Sequence, residues 1–466
     1  MAGEYTSYVL SNKEALLRDI KRLVDIKSVK AAPEPDAPYG AGVRKVQLEA
    51  MELCRELGFE TVADCEGRIA YAAYGPQDRH IGIVAHLDVV PEGTGWFGDP
   101  YRCEEREGFL IGRGVIDDKG PFVVAAYAAK YLIDKAADLK YGVRLILGLD
   151  EETGMSDIEY YKSRCPQPVF AFTPDAGFPV GHGEKGIYSA DLVSPPLKGG
   201  VILKLEGGVA SNVVADTAEA LLKLECFEKL EQAAADFERV SVAKEASGVK
   251  VTAKGVAAHA GTPHEGINAN YILADFLVKS GVLSEAEQRA LAFVSLAASS
   301  FDGEQFGIAC DDGLFAPLSI IGGVLTLKDD RIVLNVNSRY PTAITAGELE
   351  ARVAETARAN GFEAVNVSNS GPFYMDPENP AVKLMCEIYN EVTGSEEKPF
   401  VMSGGTYARH MENAVSYGLE FPGQEKEDPE WVGSCHMKNE GLKIERALQA
   451  CEIYIKTLVR LQEVEL

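Results

Sequence analysis

Apolar residues recur every three to four positions in two early stretches, "NKEALLRDIKRLVDI", following Asn12, and "VQLEAMELCRELGF", in which Gly58 stands where a helix C-cap belongs. Three short apolar runs follow, "HIGIVAHLDVV", "YGVRLILGLDEE" and "PVFAFTPDA", of the kind that become buried strands. Between the first two lies "PFVVAAYAAKYLID", with Pro121 suited to a first helical turn. Between the second and third lies "SDIEYYKSRC", with Ser156 placed to cap. The order β-α-β-α-β predicts an α/β domain with a largely parallel sheet flanked by helices.

The pattern changes near "GHGEKGIYSADL". Residues 181 to 186 spell G-x-G-x-x-G but lead into a strand-like run, not a helix, which argues against a dinucleotide site. Beyond it, strand-like "GGVILKLEGG", "VSVAKEASGVKVTAKG" and "GVLTLKDDRIVLNVNSRYP" alternate with helical "TAEALLKLECFEKLEQAAADFE", "INANYILADFLVKSG" and "TAGELEARVAETARANG". Asp329 and Asp330 sit where a hairpin turn belongs. This predicts an α+β lid domain over 187–373, inserted into a domain made of 1–186 and 374–466. From "PENPAVKLMCEIYNEVTG" onward the helical pattern belongs to the first domain again.

Composition narrows the function classes. Hydrophobic residues at 46% and charged residues at 25% are ordinary for a globular protein. A net charge of -25 argues against nucleic acid or an anionic membrane as partner, since phosphate affinity needs lysine and arginine in excess. Such a charge serves solubility, or a field that attracts cations. The N-terminus lacks a basic segment followed by a long apolar one, and no run approaches the roughly 18 apolar residues of a membrane span, so a cytoplasmic location is expected. The nine cysteines, an odd number without a C-x-x-C pair, fit reduced buried thiols. Cys435 beside His436 offers a nucleophile as a competing reading.

Each predicted strand of the first domain ends in acid or histidine. The first supplies His86 and Asp88, the second Glu151 and Glu152, the third Asp175. Ligands of open α/β sheets bind outside the carboxyl ends of the strands, so these residues are expected to converge there with Asp117 and Asp118 of "IGRGVIDDKGP". At ~4 Å and an effective dielectric of about 20, each like-charge pair costs on the order of 4 kcal/mol. The cluster must be protonated, dispersed or neutralised by cations. A helix N-cap explains one of the two aspartates but not all three strand ends.

"HLDVVP", "GRGVIDDKGP", "LDEETG", "TPDAGFP", "GVAAHAGTP" and "CHMKNE", in that order over nearly the whole chain, resemble the motifs of the M20 metallopeptidases. "GVASNVV", "NSRYP" and "GGTYAR" further resemble the dipeptidase V group, with its carnosinase-like and staphylococcal manganese-dependent relatives. The resemblance implies two divalent ions sharing Asp117, one completed by His86 and Asp175, the other by Glu152 and His436. It implies zinc first, with manganese or cobalt as alternatives, since this donor set suits all three. It further implies Glu151 as general base, Asp88 holding His86 by its free ring nitrogen, and a cis peptide between Asp117 and Asp118. His259 would stabilise the oxyanion, while Asn212, Arg339 and Arg409 would grip the substrate, with Gly404, Gly405 and Thr406 letting backbone approach. The resemblance also implies a dipeptide with both ends free as substrate, handled by a monomer because the lid is long and made of two similar halves. A deacylase of N-acyl amino acids is the alternative, and a non-catalytic relative a third.

Overall fold

The computed structural model describes residues 3–423 and 427–466. The chain forms two compact units, one of residues 1–183, 374–400 and 405–466, the other of 184–373 with 401–404.

The first unit is built on a mixed sheet. Six of its strands run in the order Thr61–Cys65, Ile69–Tyr74, Gly142–Gly148, His80–His86, Phe170–Thr173 and Ala414–Ser416. The last four are mutually parallel, while the first two join antiparallel at the edge. His80–His86 and Gly142–Gly148 are buried at every position, which is why both read as largely apolar runs, with Arg144 the one arginine among them. Helices Glu4–Val24, Lys119–Asp134, Ile444–Arg460 and Pro380–Thr393 pack in succession against one another. Lys119–Asp134 buries thirteen of its sixteen residues, as an apolar helix at the centre of such a layer must.

Helix ends follow local chemistry. Ala41–Glu56 closes with Gly58 at φ +94°, Gly58 N–H donating to Arg55 O (3.0 Å) and Phe59 N–H to Cys54 O (3.1 Å), a Schellman pair that only a left-handed residue allows. Two expectations fail at helix starts. The first helix begins at Glu4, eight residues before Asn12, because Val9 and the later apolar positions share one buried face. Ser156 is the first residue of Ser156–Arg164, not its cap; its hydroxyl donates to Asp150 Oδ2 at 2.5 Å.

The second unit is one eight-stranded antiparallel sheet, in the order Val240–Glu245, Gly248–Lys254, Thr217–Leu222, Ile202–Gly207, Ser319–Lys328, Arg331–Tyr340, Gly186–Val193 and Glu363–Ser370. Helices Phe227–Ala234, Ala269–Ser280, Glu285–Ala297 and Ala346–Ala359 share a continuous apolar core with it. Asp329 and Asp330, at φ 51° and 58°, turn the central hairpin, whose strands meet at Lys328 and Arg331. The stretch "TAEALLKLECFEKLEQAAADFE" is not one helix: Thr217–Leu222 is a strand and the helix spans only Phe227–Ala234. Ala218, Ala220 and Leu222 point to the core in strand alternation, and pairing on both sides overrides the helix propensity of alanine, leucine and glutamate.

Candidate active site

The three central parallel strands lie side by side, so their carboxyl ends deliver His86, the turn Glu151–Thr153 and Asp175 to one edge of the sheet. Asp117 and Asp118 arrive from the start of helix Lys119–Asp134, joined by a cis peptide as expected. His436 arrives from a late loop, at φ 62°. His86 Nε2 is 2.8 Å from Asp117 Oδ1 and 3.7 Å from Asp175 Oδ2. His436 Nε2 is 2.8 Å from Asp117 Oδ2 and 3.3 Å from Glu152 Oε2. The two oxygens of Asp117 therefore face two different imidazoles, and a second acid flanks each, Asp175 at His86 and Glu152 at His436.

Asp88 meets His86 at its free ring nitrogen, through its carbonyl, and supports this edge with its carboxylate as well. Its carboxylate accepts the backbone N–H of Glu151 and of Glu152, each at 3.2 Å. The His86 Nδ1–H donates to the Asp88 carbonyl at 2.9 Å, with Oδ1 farther away at 3.5 Å. With Nδ1–H held by the Asp88 carbonyl, Nε2 is directed at the acid cluster, where a cation would take the place of its proton. Asp118 does not cap its helix: it makes no side-chain cap bond, and its Oδ2 accepts the His86 N–H at 3.1 Å.

Burial dominates the electrostatics. Burial, reinforced by neighbouring acids, pushes Glu151, Asp118 and Asp175 well above the usual carboxylate range. Burial opposes charge at His86 too, but Asp117 and Asp88 outweigh it and hold the imidazole well above its usual range. At His436, contacts with Asp117 and then Glu152 raise the imidazole to about 10. So much buried acid demands counter-charge.

The residues fit divalent ions on the chemistry of their atoms. Ligand atoms of His86, Asp117 and Glu152 lie within 4.8 Å of one another, as do those of His86, Glu151 and Asp175. Glu152 Oε1 is buried without a hydrogen-bond partner among the described residues. Glu151 thus stands at ligand distance, although the resemblance assigns it to proton transfer. Cys435 makes a poor competitor as nucleophile, because burial and the surrounding carboxylates keep its thiol protonated.

In the second unit, Asn212, His259 and Arg339 come together from three separated motifs. Val213 bridges His259, and Ala260 N–H donates to Asn212 O at 2.9 Å. Arg339 pairs in register with Ser319, whose hydroxyl donates to Ala260 O at 2.7 Å. Partial burial and the charge of Arg339 hold His259 below its usual range. Gly261 N–H donates to His259 Nδ1 at 3.1 Å, which places the ring proton on Nε2 of the neutral imidazole. In the first unit, Gly405 leaves room for the Arg409 guanidinium, whose Cζ would lie 2.9 Å from a Cβ there. Thr406 caps the turn Tyr407–His410 through Ala408 N–H. His182, His264 and His410 hold ordinary partners in Met375, Asp302 and Glu159. Reading the sequence missed Asp157, Tyr407 and Glu440, although Tyr407 lies inside "GGTYAR" and Glu440 inside "CHMKNE".

A mixed α/β sheet with imidazoles and carboxylates gathered at the carboxyl ends of its parallel strands defines a metallohydrolase-type unit. A model of peptidase family M20/M25/M40 matches residues 82–460. "Putative dipeptidase YtjP" of Bacillus subtilis (strain 168) is 32% identical over 472 residues, which cover 97% of this chain and 98% of that protein. In fold the chain is similar to human carnosine dipeptidase 1, with TM-score 0.58, 15% identity, and coverage of 99% of this chain and 98% of that one. It is also similar to Bacillus subtilis YXEP, described as a dinuclear metal binding peptidase from the M20 family, with TM-score 0.50, 12% identity, and coverage of 98% and 99%. The chain belongs to peptidase family M20/M25/M40 and is a hydrolase acting on peptide bonds. No helix among the described residues is long and apolar enough to cross a membrane.

Proposed function

We propose that this protein is a dinuclear metal-dependent dipeptidase that hydrolyses dipeptides whose amino and carboxyl ends are both free. The observation that carries the reading is Asp117, each of whose oxygens stands 2.8 Å from a different histidine Nε2. Asp117 would be shared by two ions, His86 and Asp175 holding one, Glu152 and His436 the other. Zinc suits these nitrogen and oxygen donors best, with manganese and cobalt as close alternatives. When bound, such ions polarise the scissile carbonyl and acidify the attacking water.

The chain's own residues do the rest. Glu151, on a turn pinned by Asp88, takes the proton of the attacking water and passes it to the leaving nitrogen. Its raised affinity for protons suits that exchange. His259, neutral with its proton on Nε2, is a hydrogen-bond donor for the developing oxyanion. Arg339 and Arg409 offer planar forks that match a substrate carboxylate, and Asn212 an amide. The dipeptidase name of the Bacillus subtilis relative supports the substrate class.

The test is a substrate panel on the purified chain, stripped with chelator and reloaded with zinc, manganese or cobalt. Unblocked Ala-Ala or β-Ala-His should be cleaved and their N-acetylated forms spared. The reverse preference would make it a deacylase of N-acyl amino acids.

A further inference from the structure

Glu440 ends the motif that carries His436, and its side chain is wholly buried. Its carboxylate faces the other segment that supplies the metal centre. Oε1 accepts three backbone N–H groups, those of Gly114 at 3.1 Å, Ile116 at 2.9 Å and Asp117 at 3.3 Å. Oε2 accepts Arg113 Nη1 at 2.5 Å. The Glu440 carbonyl accepts Gly112 N–H at 3.0 Å. One residue thus fixes the backbone of the loop that delivers Asp117.

The same residue closes the loop of His436. Gly433 N–H donates to Asn439 O at 2.9 Å and Gly441 N–H to Gly433 O at 3.0 Å, so His436 rides on a segment tied off immediately around Glu440. A buried carboxylate gathering three N–H groups on a single oxygen leaves those peptide planes little freedom, because turning one away would strand a buried donor or acceptor. Asp117's own peptide is among them.

We infer that Glu440 is a positioning residue for the metal centre, setting the placement of Asp117 against His436 through the backbone on both sides. The inference rests on the two-ion reading of the site. It concerns no contact with substrate. Groups that orient metal ligands typically change affinity by about 10–100-fold when removed.

The test is Glu440→Gln in the full chain, which preserves volume but turns an NH2 group toward either three N–H donors or the guanidinium. Cobalt(II) is titrated in competition with a chelator, its visible absorption is recorded, and kcat and KM are measured at saturating metal. We expect cobalt binding about 10–100-fold weaker, an altered cobalt spectrum, and a fall in kcat without a matching rise in KM. A residue that merely staples the fold would lower the melting temperature yet leave the cobalt affinity, spectrum and kcat of the folded variant at wild-type values; that result overturns the inference. If Glu440→Gln does not fold, Glu440→Asp, one methylene too short to reach both Arg113 and the N–H groups, decides by the same criteria. Wild-type protein that failed to take up two cobalt ions would overturn the two-ion reading instead.

Discussion

Tyr407 donates its hydroxyl to Asp157 Oδ2 at 2.5 Å, and the same oxygen accepts the backbone N–H of Leu149 and of Asp150. Both side chains are buried. The strand end that presents Glu151 and Glu152 is thereby anchored to "GGTYAR", a late segment of the chain. Removing the hydroxyl strips a charge-assisted bond from a buried acid, a loss of about 1.5–3 kcal/mol. Tyr407→Phe should lower the denaturant midpoint accordingly and reduce kcat, because the adjacent turn loses its anchor. A variant as stable and active as wild type would show that the turn holds its place without the Tyr407 hydroxyl.

Glu151 separates proton transfer from metal binding. If it carries the water proton, Glu151→Gln should cut kcat by about 10²–10⁴-fold, with the bound metal content of the dialysed protein unchanged. Its ligand-distance neighbours make the opposite outcome informative. Loss of a metal equivalent in elemental analysis would make Glu151 a ligand.

How much of this centre could be read from the chain depends on how each residue is held. His86, Glu151, Glu152 and Asp175 stood out because each follows a short apolar run, and a strand buried on both faces leaves its polar terminus conspicuous. Asp117 was legible as one of two adjacent like charges just before an apolar helical run, whereas His436 needed the resemblance, since loops have no period. The Glu440 carboxylate reaches backbone more than 300 residues away and Asp157 is met by Tyr407 from 250 residues on, and nothing in local pattern announces such partners. Thr217–Leu222 was misread for a related reason: its residues favour helix in isolation, and only partners brought from elsewhere in the chain make a strand there.

Chelation should act on stability as well as activity. Buried acids at the strand ends repel one another, and a ligand that binds only the folded state stabilises it by RT ln(1 + [L]/Kd), about 2.7 kcal/mol at a hundredfold excess over Kd. Protein stripped with chelator should therefore melt lower, and the melting temperature should climb with added zinc, manganese or cobalt. A melting temperature indifferent to all three ions would count against a buried metal centre.

His259 is assigned to the oxyanion, which can be tested apart from the metals. Loss of one such donor costs about 2.7–4 kcal/mol, or 10²–10³ in kcat. His259→Ala should show that loss while its metal content and melting temperature stay near wild type. Since the imidazole acts as a neutral donor, its depressed proton affinity predicts activity that does not rise as the solution is acidified. A variant keeping full kcat would transfer the role to another group.

His80 gives a pH dependence remote from this chemistry. It is fully buried, its Nδ1–H donates to Gln77 O at 3.2 Å, and burial, with the nearby Arg144 charge, lowers its pKa to about 4. The unfolded chain binds a proton there near the ordinary value of about 6.5. Between these values the unfolded state carries more protons, so stability is complete above pH ~6.5 and declines as pH falls toward 4. At about 1.4 kcal/mol per pKa unit, the full loss is ~3 kcal/mol. Denaturant titrations of wild type and His80→Gln at several pH values should show a steeper acid decline for wild type, with the two slopes converging above pH ~7. Parallel curves across the whole range would mean that His80 takes up its proton in the folded protein at the ordinary pH.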